Sequence, residues 1–190
     1  MNTTKRVQAS QQTEAMFRAI WLALLVVVGV CSSFFYACAT PFAALATLAA
    51  LKMGRREGLS IIGLVWLANQ AIGYFLLGYP WTLDSMAWGI AIGAASFLAL
   101  GAASMFASAQ PVRLAVSLPF VAAFSTYELA LYVAGLGLGA EADVFSWATV
   151  KHVFLVNLGA CVALLAVHAV ARAAGLMGRS AEAPAFAGSR

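Results

Sequence analysis

Charge is the scarcest property of this chain: Lys, Arg, Asp and Glu together make up 9% of its 190 residues. Hydrophobic residues make up 63%, and the mean hydropathy is +0.90. A water-soluble domain of this size is excluded by that balance, because folding leaves too little polar surface to face water. Cysteine is also sparse. Cys31, Cys38 and Cys161 lie in apolar stretches without CxxC or Cys/His spacing, which excludes a disulfide framework and a structural metal site. The two histidines, His152 and His168, fall on one apolar stretch, about 24 Å apart along a helix axis, so they form no haem pair. Sequences of the HExxH, GxSxG and Walker types are absent, and no nucleophile, base and orienter occur at usable spacing. The expectation is a protein that is not an enzyme and holds no cofactor or metal.

What is present is a series of long apolar runs broken by short charged or proline-containing segments. Their lengths predict an all-α integral membrane protein with helices near 17–36, 41–53, 59–78, 85–107, 112–136 and 147–174. Residues 1–16 form a polar segment, 17–174 a single six-helix bundle, and 175–190 a small polar tail with the composition of a disordered segment. Ala37 and Ala39 resemble a signal-peptide cleavage site, but the preceding apolar run is long for one and more helices follow, so an uncleaved first helix is expected. Pro41 separates the first two helices, and Pro119 is expected to kink the fifth. The 41–53 helix is short for a crossing and either tilts inward or re-enters.

Ten of the eleven Lys and Arg residues fall on one side of this arrangement; only Lys151 does not. Lys5, Arg6, Arg18, Lys52, Arg55, Arg56, Arg113, Arg172, Arg179 and Arg190 are separated by even numbers of crossings, while Asp84, Glu141 and Asp143 fall opposite. The positive-inside rule then places both termini in the cytoplasm and the chain in the plasma (inner) membrane. The net charge of +4 reflects this bias; no basic cluster interleaved with aromatics suggests nucleic acid.

Several polar residues interrupt the apolar runs. Glu128 lies within the fifth helix, where a carboxylate in hydrocarbon costs about 2.5 kcal/mol or more, so it must face protein, water or a ligand. Ser125, Glu128 and Tyr132 share one helix face. Lys151 or a cationic ligand is the expected partner of Glu128. Asn69, Gln70 and Asn157 lie at a similar depth, roughly 12–15 Å below the same helix ends. Above them, Tyr79, Trp81, Trp88 and Trp147 form a rim, and Lys151 and His152 lie near the outer end of the sixth helix. The pattern fits an outward-facing pocket with apolar walls and few polar anchors. Interhelical hydrogen bonding by Asn and Gln, and an ordinary aromatic belt, are the competing readings. Ala39/Ala43 and Ala46/Ala50 make AxxxA pairs that let helices approach closely, as do Ala95, Ala99 and Ala103.

Six helices, cytoplasmic termini, an outward polar-aromatic pocket and AxxxA pairs near the start resemble the S components of energy-coupling-factor vitamin transporters, some of which act alone. The resemblance is architectural and covers the whole chain. It implies capture of a small water-soluble vitamin or cofactor precursor for uptake, with Gln70, Trp81, Trp88, Glu128, Tyr132, Lys151, His152 and Asn157 around the ligand. It also implies a face at Ala39, Ala43, Ala46 and Ala50 that docks on a transmembrane coupling subunit served by ATPases. The cobalamin-binding members use a cysteine near the pocket, whereas the turn after the third helix here carries Pro80 and no cysteine. An acid among aromatics suits a cationic, thiamin-like ligand. Two other classes compete: an assembly subunit of a larger membrane complex, and a small channel or proton-coupled transporter with Glu128 as relay. Against the latter, the segment from Leu114 to Phe124 carries only Ser117 as a polar residue.

Overall fold

A computed structural model of the chain describes residues 40–107 and 115–173, apart from the side chain of Ala142. The expected first crossing at 17–36, Ala39, Arg113 and the tail from 175 lie outside the described residues. Within them the protein is all-helical: α1 Phe42–Lys52, α2 Arg55–Phe75, α3 Leu83–Ala107, α4 Ser117–Leu138 and α5 Trp147–Ala173, with a 3-10 turn at Ala142–Phe145. The last four are long and apolar enough to cross a membrane. The first is not, since its 11 residues span only about 16 Å.

The short helix holds the centre. Every residue from Phe42 to Ala49 is buried, and α1 packs against each of the four long helices. A helix that is apolar all round belongs inside a bundle. Its sequence, built mainly of Ala and Leu, supplies strong helix formers and a narrow cylinder that lets the other helices close around it. Pro41 precedes its first turn, where a missing N–H costs nothing. Lys52 in its last turn complements the negative end of the helix dipole.

The long helices are joined by turns whose residues explain them. Gly78 and Gly139 adopt φ of 70°, a conformation that side chains disfavour, and each lies just past a helix end. The Thr82 hydroxyl accepts the Ser85 N–H at 3.2 Å and begins α3, while the Ser146 hydroxyl accepts the Thr149 N–H at 3.4 Å and begins α5. Glu57 accepts the Gly54 N–H at 3.4 Å at the start of α2. The kink expected at Pro119 is absent because α4 begins at Ser117. Pro119 therefore sits in the first turn, where no intrahelical donor is lost.

The exterior differs from that of a soluble bundle. The interior combines small residues, Ala43, Ala44, Ala46, Ala95, Ala99, Ala103 and Ala123, with enclosed large ones such as Phe42, Leu45, Ile62 and Val65. Large apolar residues such as Phe75, Leu83, Met105, Leu136 and Val170 point outward and are more than two-thirds exposed. In water such a surface would drive association; in a bilayer it faces lipid. The chain has the make-up of a multi-pass membrane protein.

The AxxxA expectation needs correcting here. Ala43 and Ala46 are covered by the chain's own helices, and Ala50 is only half-buried. The close approach that their spacing permits is used internally, so Ala43 and Ala46 leave no surface for a partner subunit.

Candidate functional site

The polar residues of the helix interiors differ in how far they are engaged, and those that fasten α1 are the most completely bonded. Asn157, on α5, is fully enclosed. Its Oδ1 accepts the N–H groups of Ala43 at 3.1 Å and Ala44 at 3.2 Å, and its Nδ2 donates to the Val153 carbonyl at 3.0 Å. The first N–H groups of a helix have no intrahelical acceptor, and Pro41 offers no side-chain oxygen for them. Asn157 supplies the missing cap from another helix. The set is closed by Phe42 N–H donating to the Thr40 carbonyl at 2.7 Å and Leu45 N–H donating to the Pro41 carbonyl at 3.0 Å. All four donors at the start of α1 are thereby satisfied, and no backbone group remains for an anion. Thr40 Oγ1 also donates to Asn69 Oδ1 on α2 at 2.8 Å. Two helices thus fasten the start of α1 through an asparagine each.

Gln70 and Trp66 form the contact between α2 and α3, where the Gln70 amide packs over Gly89 without a hydrogen bond among the described residues. Trp66 Nε1 donates to the Gly89 carbonyl at 2.8 Å. A Cβ on Gly93 would lie 2.7 Å from the Trp66 ring, and one on Gly89 would collide with the Gln70 amide. Glycines at these two positions, spaced GxxxG, create the room that the large side chains of α2 occupy. The GxxxG spacing of this pair is visible in the sequence, as the AxxxA spacing of the alanines is.

Near the α2–α3 connection, Tyr74 packs on Trp81 with ring centroids 4.7 Å apart and on Tyr79 at 6.2 Å. The Tyr74 hydroxyl lies 3.1 Å from Ser85 Oγ. Trp81 remains 63% exposed, so this cluster forms a wall at the bundle's end rather than a buried plug. Trp88, one turn into α3, is half-buried. On the opposite flank Tyr132 meets Phe145 edge-on at 5.4 Å, and Phe145 in turn fits over Gly135. Lys151 and His152 are exposed on the first turns of α5.

Glu128 is different. It is half-buried on α4 beside Tyr127, whose ring lies 6.0 Å from Phe42 at the start of α1. Ten residues separate it from the end of α4 at Leu138, which places it about 15 Å along the helix from that end. Asn157 is equally far from the start of α5. The two groups share a depth, but only the asparagine is satisfied. Glu128 forms no hydrogen bond or ion pair among the described residues, and neither does Lys151, the partner expected for it. The physical reason is depth: Lys151 lies four residues from the start of α5, about 9 Å short of the level of Glu128.

The structure therefore places Asn157 and Gln70 in packing roles, and sets Trp81, Trp88, Tyr132, Lys151 and His152 in the half of the bundle between Glu128 and its nearer end. Among the described residues no group of three or more His, Cys, Asp or Glu side chains is arranged to hold a metal ion. Compared with protein-family models, with characterised proteins and with solved structures, the chain matches none.

Proposed function

We propose that this protein is a membrane transport subunit that captures a small, cationic, aromatic water-soluble vitamin or cofactor precursor, with Glu128 as the charged anchor. In this reading the chain makes six passages of the inner membrane with both termini in the cytoplasm, α1 forming the inner part of the second, and the Trp81 and Tyr132 end faces outward. The distribution of Lys and Arg supports that orientation. One observation carries the functional reading. Glu128 is a half-buried carboxylate without a protein partner among the described residues, about 15 Å from the nearer helix end. Asn157, at equal depth, is fully engaged in fastening α1, which sets the carboxylate apart from it. A carboxylate left this way is costly to the apo protein, and a cationic ligand offsets the cost by charge pairing, with aromatic side chains adding cation–π contact.

Such a subunit works with a coupling protein and ATPases, or alone. Because Ala43 and Ala46 are interior, a docking face must lie on other residues.

The test is thermal unfolding of the purified protein in detergent against a panel of vitamins and their precursors. A ligand at about 100 times its Kd adds about 2.7 kcal/mol. The expected result is a selective upward shift that Glu128→Gln abolishes while leaving the unliganded protein folded. Equal shifts in both proteins would remove Glu128 from the site. A flat panel would favour an assembly subunit, identified by the membrane proteins that co-purify with it.

A further inference from the structure

At the end of the bundle opposite Trp81, α1, α2 and α3 do not close against one another. They leave a cleft of about 680 Å³ running between Ala50 of α1, Gly58 of α2 and Gly101 of α3, floored by Leu100 and ending at Phe97. Arg55 lines it. The cleft exists because the facing positions are small. A Cβ on Gly58 would rest in van der Waals contact with Ala49 and Leu100, at 3.5 Å and beyond, and one on Gly101 would meet nothing within 4 Å. From Met105 to Phe97 the cleft follows α3 for about 12 Å, inward from the level at which α1 ends and α2 begins. Three cations cluster at that level: Lys52 in the last turn of α1, and Arg55 and Arg56 in the first turn of α2. None of them forms an ion pair among the described residues. Glu57, the carboxylate at that level among the described residues, accepts the Gly54 N–H.

We infer that this cleft binds an anionic phospholipid, one acyl chain lying between Ala50, Gly58 and Gly101 and the headgroup phosphate meeting Arg55 with Lys52 and Arg56 beside it. An apolar slot that deepens into the bundle and opens under a cationic rim has the two-part chemistry of such a lipid. A guanidinium matches a phosphate by paired hydrogen bonds, which a choline-bearing lipid screens with its own positive charge. A soluble anion would use only the rim, and a neutral lipid only the slot. The inference is independent of what the Glu128 site binds.

The experiment is native mass spectrometry of the full-length, delipidated protein in detergent, titrated with phosphatidylglycerol or phosphatidylcholine of identical acyl chains. Unliganded thermal unfolding is run on every variant. Phosphatidylglycerol should bind about fivefold or more tightly than phosphatidylcholine, the effect expected of one well-placed basic residue near a charged headgroup. Arg55→Gln should remove that preference and retain a common basal binding. Gly101→Leu should weaken both lipids by filling the slot; Ser104→Leu, on the same wall, replaces it if the first variant does not fold. Equal binding of the two lipids by the wild type overturns the inference. So does a preference that survives Arg55→Gln, or lipid binding unchanged by the slot-filling variant. Displacement of phosphatidylglycerol by glycerol phosphate would place recognition in the rim alone and overturn it as well.

Discussion

Replacing Asn157 by alanine tests the central feature of the fold. The substitution removes the acceptor of two buried N–H groups, those of Ala43 and Ala44, and the donor to the Val153 carbonyl. A buried donor left without a partner costs about 1–3 kcal/mol, and loss of a helix N-cap costs about 1–2 kcal/mol. These describe the same donors and are not added. With two donors exposed to an apolar interior and no room for solvent around a fully enclosed side chain, about 3 kcal/mol is the expected loss. For a chain of this size that corresponds to roughly 6–12 °C in Tm. Asn157→Asp keeps an acceptor for both N–H groups and places a negative charge at the positive end of the α1 dipole. It should recover part of the loss, whereas Asn157→Leu, which fills the volume without an acceptor, should not. The assay is thermal unfolding in detergent without ligand. If Asn157→Ala leaves Tm within about 2 °C of wild type, the cap does not stabilise the fold as argued. If in addition it removes ligand binding, Asn157 belongs to the pocket instead.

Other outcomes follow from the same geometry. Gly93→Leu forces a side chain into the Trp66 ring and should cost about 1–3 kcal/mol, read as a lowered Tm, with Gly101→Leu as the control that meets open space. Trp66→Phe keeps most of the ring volume but loses the bond to the Gly89 carbonyl, for an expected cost of about 1 kcal/mol in the same assay. Glu128→Gln should leave the unliganded Tm unchanged or raise it, because removing a buried charge without a protein partner relieves a cost. A fall of several degrees would show that Glu128 has a structural partner.

The long helices were legible because apolar length and breaker residues are local signals. The expected 59–78, 85–107 and 147–174 correspond to Arg55–Phe75, Leu83–Ala107 and Trp147–Ala173. The short 41–53 segment was also legible as a helix, Phe42–Lys52, but its place at the centre was not. That position depends on which helices surround it, and nothing within its own residues encodes them. The same limit applies to Asn157. Its partners lie 113 and 114 residues earlier, so its cap is invisible to any local pattern. A polar residue at mid-depth looks the same in sequence whether it fastens a helix or meets a ligand. The fit of Gln70 against the glycine at position 89 is likewise a cross-helix contact that no local pattern shows. The GxxxG at Gly89 and Gly93 was the one missed feature that did carry a local signal.

What separates Asn157 from Glu128 in this bundle is satisfaction rather than depth. A helix that begins halfway through an apolar interior creates a local excess of hydrogen-bond donors, and the excess has to be met where no water can reach. Thr40, Pro41 and Asn157 meet it completely, and Asn69 holds Thr40 in turn. The start of α1 therefore has no reason to attract an anion despite its dipole. Glu128, a helix away at the same level, is an acceptor with no donor supplied to it from the described chain. On the proposed reading, the group that neutralises Glu128 is a proton or a cationic ligand. Those two cases diverge under one measurement. Uptake of protons by Glu128 alone gives a Tm that varies with pH and ignores the vitamin panel, whereas a cationic ligand gives a saturable shift that Glu128→Gln removes.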